Sequence, residues 1–186
     1  AGYQATTVIE EWKQVEAAIR RGDLDGSAAM WRTKAREKTL VFSAPYLENR
    51  LVLIGRTGSD VSAARMTDLA GKRVAAVGQY AYGDDVSNAN GVIFVNSKSD
   101  QDSLDKLLAG VVDYMLVDEL VVRHLLTFQP DEVAANLEVG FTPLARRTLH
   151  FAIRRDLPNA EKIVQAVDSE IVKMQRDGAS SESLQI

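Results

Sequence analysis

Among the side chains that could do chemistry, the densest group is Thr33-Lys34-Ala35-Arg36-Glu37-Lys38, which leads into Phe42-Ser43-Ala44-Pro45-Tyr46. Arg36 has two readings. Its planar guanidinium can clamp a carboxylate through two parallel hydrogen bonds. Equally, it fits a solvated face, paired with Glu37 or a neighbouring acid, an arrangement worth little energetically. Asp118 is the second candidate, because it follows the apolar run Tyr114–Val117 and precedes the helical pattern Glu119–Leu126. It is placed either to cap free N–H groups of that helix or to meet a cation at the end of a strand. The usual catalytic patterns are missing: there is no Gly-x-Ser-x-Gly elbow, dinucleotide fingerprint, Walker loop or His-Glu-x-x-His. The only histidines, His124 and His150, fall in a predicted helix and at the start of a predicted strand. Each reads first as an ordinary packed or surface residue. Asp23-x-Asp25-Gly26 has the opening of a calcium loop, but Lys34 stands where the closing bidentate carboxylate belongs. Asp25 therefore reads as a loop end that caps backbone donors.

The elements that must position these residues follow one pattern used twice. Val8 and Ile9 form a short β-branched stretch that predicts a strand. Trp12, Val15 and Ile19 then share a helical face, closed by Gly22. Farther on, Asp100 to Ala109 predicts a second helix with Leu104, Leu107 and Leu108 inward, closed by Gly110. Both helices are followed by Gly-x-x-Asp, at Gly22–Asp25 and Gly110–Asp113, and then by an apolar stretch, Gly26–Met30 or Tyr114–Val117. Val74–Val77 and Val92–Val95 predict further strands in a βα rhythm, the signature of a mostly parallel sheet with crossover helices. Leu51–Ile54 and Phe151–Ile153 predict two strands that enter and leave the block between them. A last helix from about Pro158 runs through Ile163, Val167, Ile171 and Met174 to Asp177-Gly178.

Composition narrows the classes. With 186 residues, 46% apolar and 26% charged, the chain suits one large or two small globular domains rather than a disordered or fibrous protein. The formal charge of −4, with basic residues scattered, argues against a nucleic-acid partner. The absence of cysteine removes disulfides, thiolate nucleophiles and sulfur-ligated zinc. Apolar runs such as Val111–Val117, broken by Asp113, are too short to span a bilayer. No charged segment with an apolar core opens the chain, so a signal peptide is expected to be removed or never present.

The order of segments resembles the family 3 extracytoplasmic solute-binding proteins, the amino-acid-type receptors of ABC importers. The matching text includes Trp12 and its helix to Gly22-x-x-Asp25, Thr33-x-x-Arg36, Phe42-Ser43-Ala44-Pro45-Tyr46, and Asp68-Leu69-Ala70-Gly71-Lys72-Arg73-Val74. It continues through Gly110-Val111-Val112-Asp113 to Asp118, then Phe151-Ala152-Ile153-Arg154 and the last helix. The resemblance implies an α/β, periplasmic-binding-protein-like type II fold, with two α/β lobes joined by a two-strand hinge. Lobe 1 would comprise 1–55 and 150–186, and lobe 2 would comprise 56–149, with the ligand in the crevice between lobes. It implies that Arg36, helped by Thr33, binds a ligand α-carboxylate and that Asp118 holds the α-ammonium. A zwitterion needs a fork donor at one end and an acceptor-only carboxylate at the other.

Departures from the family pattern fall around that site. Where hydroxyl-bearing residues are usual, this chain has Ala28, Ala29, Met30 and Trp31. Where a Gly-Thr-Thr-like loop opens a helix, it has Gln79, Tyr80 and Ala81. A helix N-terminus at 79–81 would still offer N–H groups to an anion. Trp31 and Tyr80 would either stack on the ligand or fill the cleft. The family's first strand and helix have no counterpart before Ala1, and Leu184-Gln185-Ile186 stands where a closing helix usually continues. Lobe 1 is thus expected to be incomplete. The expected function is extracytoplasmic or periplasmic binding of an amino acid or small carboxylate for delivery to an ABC permease, without cofactor or turnover. The alternatives are a sensor domain fused to a signalling module and a dehydratase of the same fold.

Overall fold

The computed structural model describes residues 2–178. In chain order its elements are α1 (Trp12–Arg21), β1 (Gly26–Trp31), β2 (Leu40–Phe42), β3 (Leu47–Arg56), β4 (Arg73–Val77), α2 (Asp84–Ser87) and β5 (Ile93–Ser97). They continue with α3 (Asp100–Leu108), β6 (Tyr114–Asp118), α4 (Glu119–Thr127), α5 (Asp131–Ala134), β7 (Leu137–Val139), β8 (Ala145–Arg154) and α6 (Ala160–Arg176). Two compact units result, 1–48 with 148–186, and 49–147. The sequence places the division at 55/56 and 149/150. β3 and β8 are the strands in which the chain passes from one unit to the other.

In the first unit β8 is flanked by β1 and β2, both antiparallel to it. Alternation along β8 sends successive side chains to opposite faces. Ala152 joins Ile19, Met30 and Leu40 under α1, and Ile153 joins Ala160 and Val164 under α6. Gly26 is required where β1 meets β8, since a Cβ there would lie 2.1 Å from the Ala152 carbonyl oxygen. The Phe42–Tyr46 block ties these parts together. Buried Ser43 accepts the Phe151 N–H at 3.0 Å, Asp168 of α6 accepts the Ala44 N–H at 2.8 Å, and the Tyr46 hydroxyl donates to the Ala28 carbonyl at 2.7 Å. The expected strand at Val8–Ile9 does not form: among the described residues no element precedes α1, and Ile9 is 95% exposed. β propensity without a pairing partner and a buried face does not make a strand. The closing-helix question at Leu184–Ile186 lies outside the described residues.

The second unit has strands in the order β3-β6-β4-β5, with β7 also on β3. β6, β4 and β5 are mutually parallel, and β3 is antiparallel to β6, with Leu51 opposite Asp118 and Gly55 opposite Tyr114. α3 and α4 bury Leu104, Leu107 and Val122 against Val52, Ile54, Ala75, Met115 and Val117. The repeated helix–glycine–strand pattern has a shared physical cause. Gly22 (φ 89°) and Gly110 (φ 72°) adopt left-handed backbone after α1 and α3, and the next residue donates back into each helix, Asp23 to Ala18 and Val111 to Lys106. The remaining carbonyls near the end of α3 are met by Arg56, whose Nη1 donates to Leu107 at 2.6 Å and Val112 at 2.8 Å. Asp113 then fixes the start of β4, accepting the Arg73 N–H at 2.8 Å and its Nη2 at 2.9 Å.

One inward residue of α3 is corrected. Leu104 and Leu107 are buried, but Leu108 is 38% exposed, because a helical turn of 3.6 residues carries it past the buried stripe. Leu107→Ala should therefore destabilise by about 2–5 kcal/mol. Leu108→Ala should stay within about 1 kcal/mol. Urea unfolding midpoints of both variants check this, and equal losses would contradict the assigned face.

Candidate functional site

Within the second unit, chemistry collects at the carboxyl ends of the parallel strands. After β4 the chain crosses to β5 on one side; after β6 it turns the other way, toward β7 beside β3. The boundary of adjacent β4 and β6 is thus a topological switch point, where the departing chains leave a crevice. Three segments end there: the Gly78–Gly83 loop after β4, the turn from Ser97 to Asp100 after β5, and Asp118 at the end of β6.

Asp118 does cap α4. Its Oδ1 accepts the Leu120 N–H at 2.9 Å, while its Oδ2 is buried and has no hydrogen-bond partner. The residue is 8% exposed, and burial pushes its carboxyl above the ordinary aspartate range, against the pull of the Leu120 N–H and the Asn49 amide. Asp100, the first residue of α3, reads in the sequence only as a helix start. Burial pushes its carboxyl up to about 6; the Asp118 charge adds to the rise, and the Tyr80 hydroxyl, donating at 3.4 Å, opposes it. Applying the carboxyl-end rule to β5 as well as β6 would have found it. Tyr82 turns back so that its hydroxyl accepts the Val77 N–H at 3.0 Å, with its ring 5.8 Å from Tyr80.

The loop differs from expectation. No helix opens at 79–81. Gln79 takes a left-handed φ of 68°, Gly83 one of 89°, and the four-residue α2 starts only at Asp84, with Asp84 and Asp85 in its first turn. The two φ reversals and the folded-back Tyr82 turn the chain before a helix can start, and the acidic first turn disfavours an anion. Gln79, Tyr80 and Ala81 are therefore loop residues in the same unit as Asp118.

In the first unit, Thr33, Trp31 and Arg36 come together. Thr33 Oγ1 accepts the Arg36 N–H at 3.1 Å and starts the tight turn over Arg36–Lys38. The guanidinium donates to the Trp31 carbonyl at 2.9 Å, reaches Glu16 Oε1 from Nη2 at 3.2 Å, and lies 5.0 Å from the Trp12 ring centre. Its side chain is only 11% exposed. Glu37 pairs with Arg32 instead, so the acid beside Arg36 is Glu16, which sequence reasoning did not single out. A helical wheel shows why: Glu16 lies one turn beyond Trp12 on the same face. Ala29 is exposed in the irregular part of β1, its N–H bonded to Ser27 Oγ. His150 is buried and bonds Ser43 O at 2.8 Å and Thr148 Oγ1 at 2.9 Å; exposed His124 packs edge-on with Phe128. No helix among the described residues is long and apolar enough to cross a membrane.

Comparison with known proteins agrees with this architecture. The family described as bacterial extracellular solute-binding proteins, family 3, matches residues 1–185. Among solved structures, the chain is similar to holo ArgBP from T. maritima, with 21% identity, a TM-score of 0.78, and coverage of 94% of this chain and 74% of that one. It is also similar to the amino acid ABC transporter substrate-binding protein AbpA from Streptococcus pneumoniae bound to L-arginine (20%, TM-score 0.79, 95% and 73%). A third is an ancestral arginine-binding protein bound to glutamine (22%, TM-score 0.74, 92% and 74%). At these identities the likeness shows the fold, α/β and periplasmic-binding-protein-like. No curated protein matches the chain.

The raised carboxyl of Asp100 has a consequence for stability. The folded chain holds that proton more tightly than the unfolded chain, so stability falls as pH rises from about 4 through about 6, and the penalty is complete above that. Asp100→Asn should stabilise the ligand-free chain at neutral pH by roughly 1–2 kcal/mol, after allowing for the lost charge at the helix start, and should change little near pH 4. Denaturation of both proteins at the two pH values checks this; destabilisation at neutral pH would contradict it.

Proposed function

The chain belongs to the bacterial extracellular solute-binding proteins of family 3, and on that premise we propose that it binds an amino acid or related small carboxylate. The observation that carries this reading is Asp118, a buried carboxylate at a sheet switch point that keeps one oxygen unpartnered. A buried acceptor of this kind is costly unless something pairs with it, and an α-ammonium supplies both charge and N–H donors. The proposed partner for the ligand's carboxylate is Arg36, with Thr33 holding the turn that presents it. Glu16 reaches the Arg36 fork through one oxygen, at 3.2 and 3.4 Å, longer than a well-made charged pair. An incoming carboxylate would replace it with closer geometry. Trp31, Ala29, Gln79, Tyr80 and Ala81 are proposed to line the ligand, the aromatic pair supplying apolar faces where the family usually has hydroxyls.

That two of the similar structures hold arginine and glutamine supports amino acids as the ligand class. The proposed role is capture outside the cytoplasm and delivery to an ABC permease, with the solute released chemically unchanged.

Thermal shift across a panel of amino acids and small organic acids tests this. At least one should raise Tm, since a ligand at about 100 times Kd stabilises by roughly 2.7 kcal/mol. Arg36→Ala should abolish the shift and Arg36→Lys should weaken it, because only the guanidinium offers a bidentate fork. Asp118→Asn should also abolish the shift. Shifts retained in both Arg36→Ala and Asp118→Asn would overturn the assignment, and recovery of a chemically altered ligand would overturn the binding role.

A further inference from the structure

We propose that Glu16 is an internal competitor at the carboxylate subsite: it occupies the Arg36 fork in the empty chain, and the need to displace it decides which carboxylates are held and how tightly. The inference rests on the reading of Arg36 as partner of the solute's carboxylate and deepens it.

All the groups involved lie in the first unit. Arg36 has three supports that do not involve Glu16. Its Nη1 donates to the Trp31 carbonyl at 2.9 Å, Thr33 Oγ1 accepts its backbone N–H at 3.1 Å, and the guanidinium lies 5.0 Å from the Trp12 ring centre. These hold the guanidinium on Trp12 and leave the Nε/Nη2 edge, the pair of parallel donors that a carboxylate takes with two oxygens. Glu16 stands on that edge with a single oxygen. Its Oε1 accepts from Nε at 3.4 Å and from Nη2 at 3.2 Å. A well-made charged bond is about 2.7–2.9 Å. The fork is thus occupied without being well satisfied.

The helix gives the same role to this position. Trp12 and Glu16 are one turn apart on α1, so the element that supplies the ring beside the guanidinium also supplies the acid. α1 is fixed by Ile19, which is buried with Met30, Leu40 and Ala152. Glu16 is therefore tethered to the site and competes at the high effective concentration of any intramolecular partner. Other acids of this region are engaged elsewhere, Glu37 with Arg32 and Asp23 with Arg21. The Glu16 side chain is 26% exposed against 11% for Arg36, so Glu16 is the partner that can turn to water when another carboxylate takes the fork.

The consequence is a threshold. A bare carboxylate offers Arg36 little more than Glu16 already gives. A solute whose other groups also bind displaces Glu16, and its apparent affinity is lowered by the strength of the internal contact.

Two titrations of the full chain test this: calorimetry with L-glutamine and L-arginine, and NMR with sodium acetate, read at the tryptophan indole N–H signals. Glu16→Gln keeps the shape and removes the charge. Glu16→Asp keeps the charge and withdraws it by one methylene, and it carries the comparison if Glu16→Gln does not fold. The expected result is that the variant binds the amino acid about fivefold or more tighter than the unmodified chain, and responds to acetate at a correspondingly lower concentration. Unchanged or weaker binding in the variant overturns the competitor and leaves the amino-acid reading standing; weaker binding would mean that Glu16 holds Arg36 in place for the solute. Amino-acid binding that survives Arg36→Ala undiminished overturns the carboxylate role of Arg36 and the competitor with it. A tighter acetate response in the variant, with neither amino acid bound by any chain, keeps the competitor and overturns the amino-acid reading. Binding of none of the three probes by any chain overturns both.

Discussion

Two carboxylates that pair with no cation among the described residues, Asp100 and Asp118, set the constraint on the second unit. Burial disfavours the charge of each, and the Asp118 charge adds to the cost at Asp100. The surroundings explain how such a pair is tolerated. β3, β6 and β4 form a largely buried apolar support, with Leu51, Val74, Met115 and Leu116 at or near zero exposure. α4 offers Asp118 a backbone N–H, and Tyr80 offers Asp100 a hydroxyl. These partners hold the carboxylates in place without neutralising them, as a site that awaits charge from elsewhere requires.

Other ions in the same unit show what satisfied charges look like. Arg56 spends its guanidinium on the carbonyls at the end of α3, Asp113 on the start of β4, and Asp102 on Lys106 and a backbone N–H. In each case the charge closes an end that the backbone leaves open. Arg36 in the first unit is intermediate: it is mostly covered, stacked on Trp12, and held by Glu16 at the long end of ion-pair geometry. A guanidinium stored against a weak internal acid is protected but can exchange partners.

Much of the scaffold was legible in the residues. Gly22 and Gly110 after amphipathic helices predict left-handed turns, and the apolar runs at Val74, Tyr114 and Leu51 predict buried strands, because local backbone preference and burial point the same way there. The failures came where local preference lacked a tertiary partner or a loop broke the pattern. Val8–Ile9 has strand propensity and no strand, Leu108 is apolar but past the buried stripe, and Gln79-Tyr80-Ala81 is turned away from helix by two φ reversals. Asp118 was legible as a strand end followed by a helix. Asp100 and Glu16 were not, since each looks like an ordinary helical acid until the fold brings it beside Asp118 or Arg36.

The central claim is that the second unit buries two carboxylates that have no cation among the described residues. Carbon-detected NMR titration of the aspartate side chains in the ligand-free chain measures it most directly. The account predicts that the Asp100 carboxyl titrates near 6 and Asp118 above the ordinary aspartate range. Titration of both below the ordinary range in the empty protein would mean that each already has its cation, and would contradict the account.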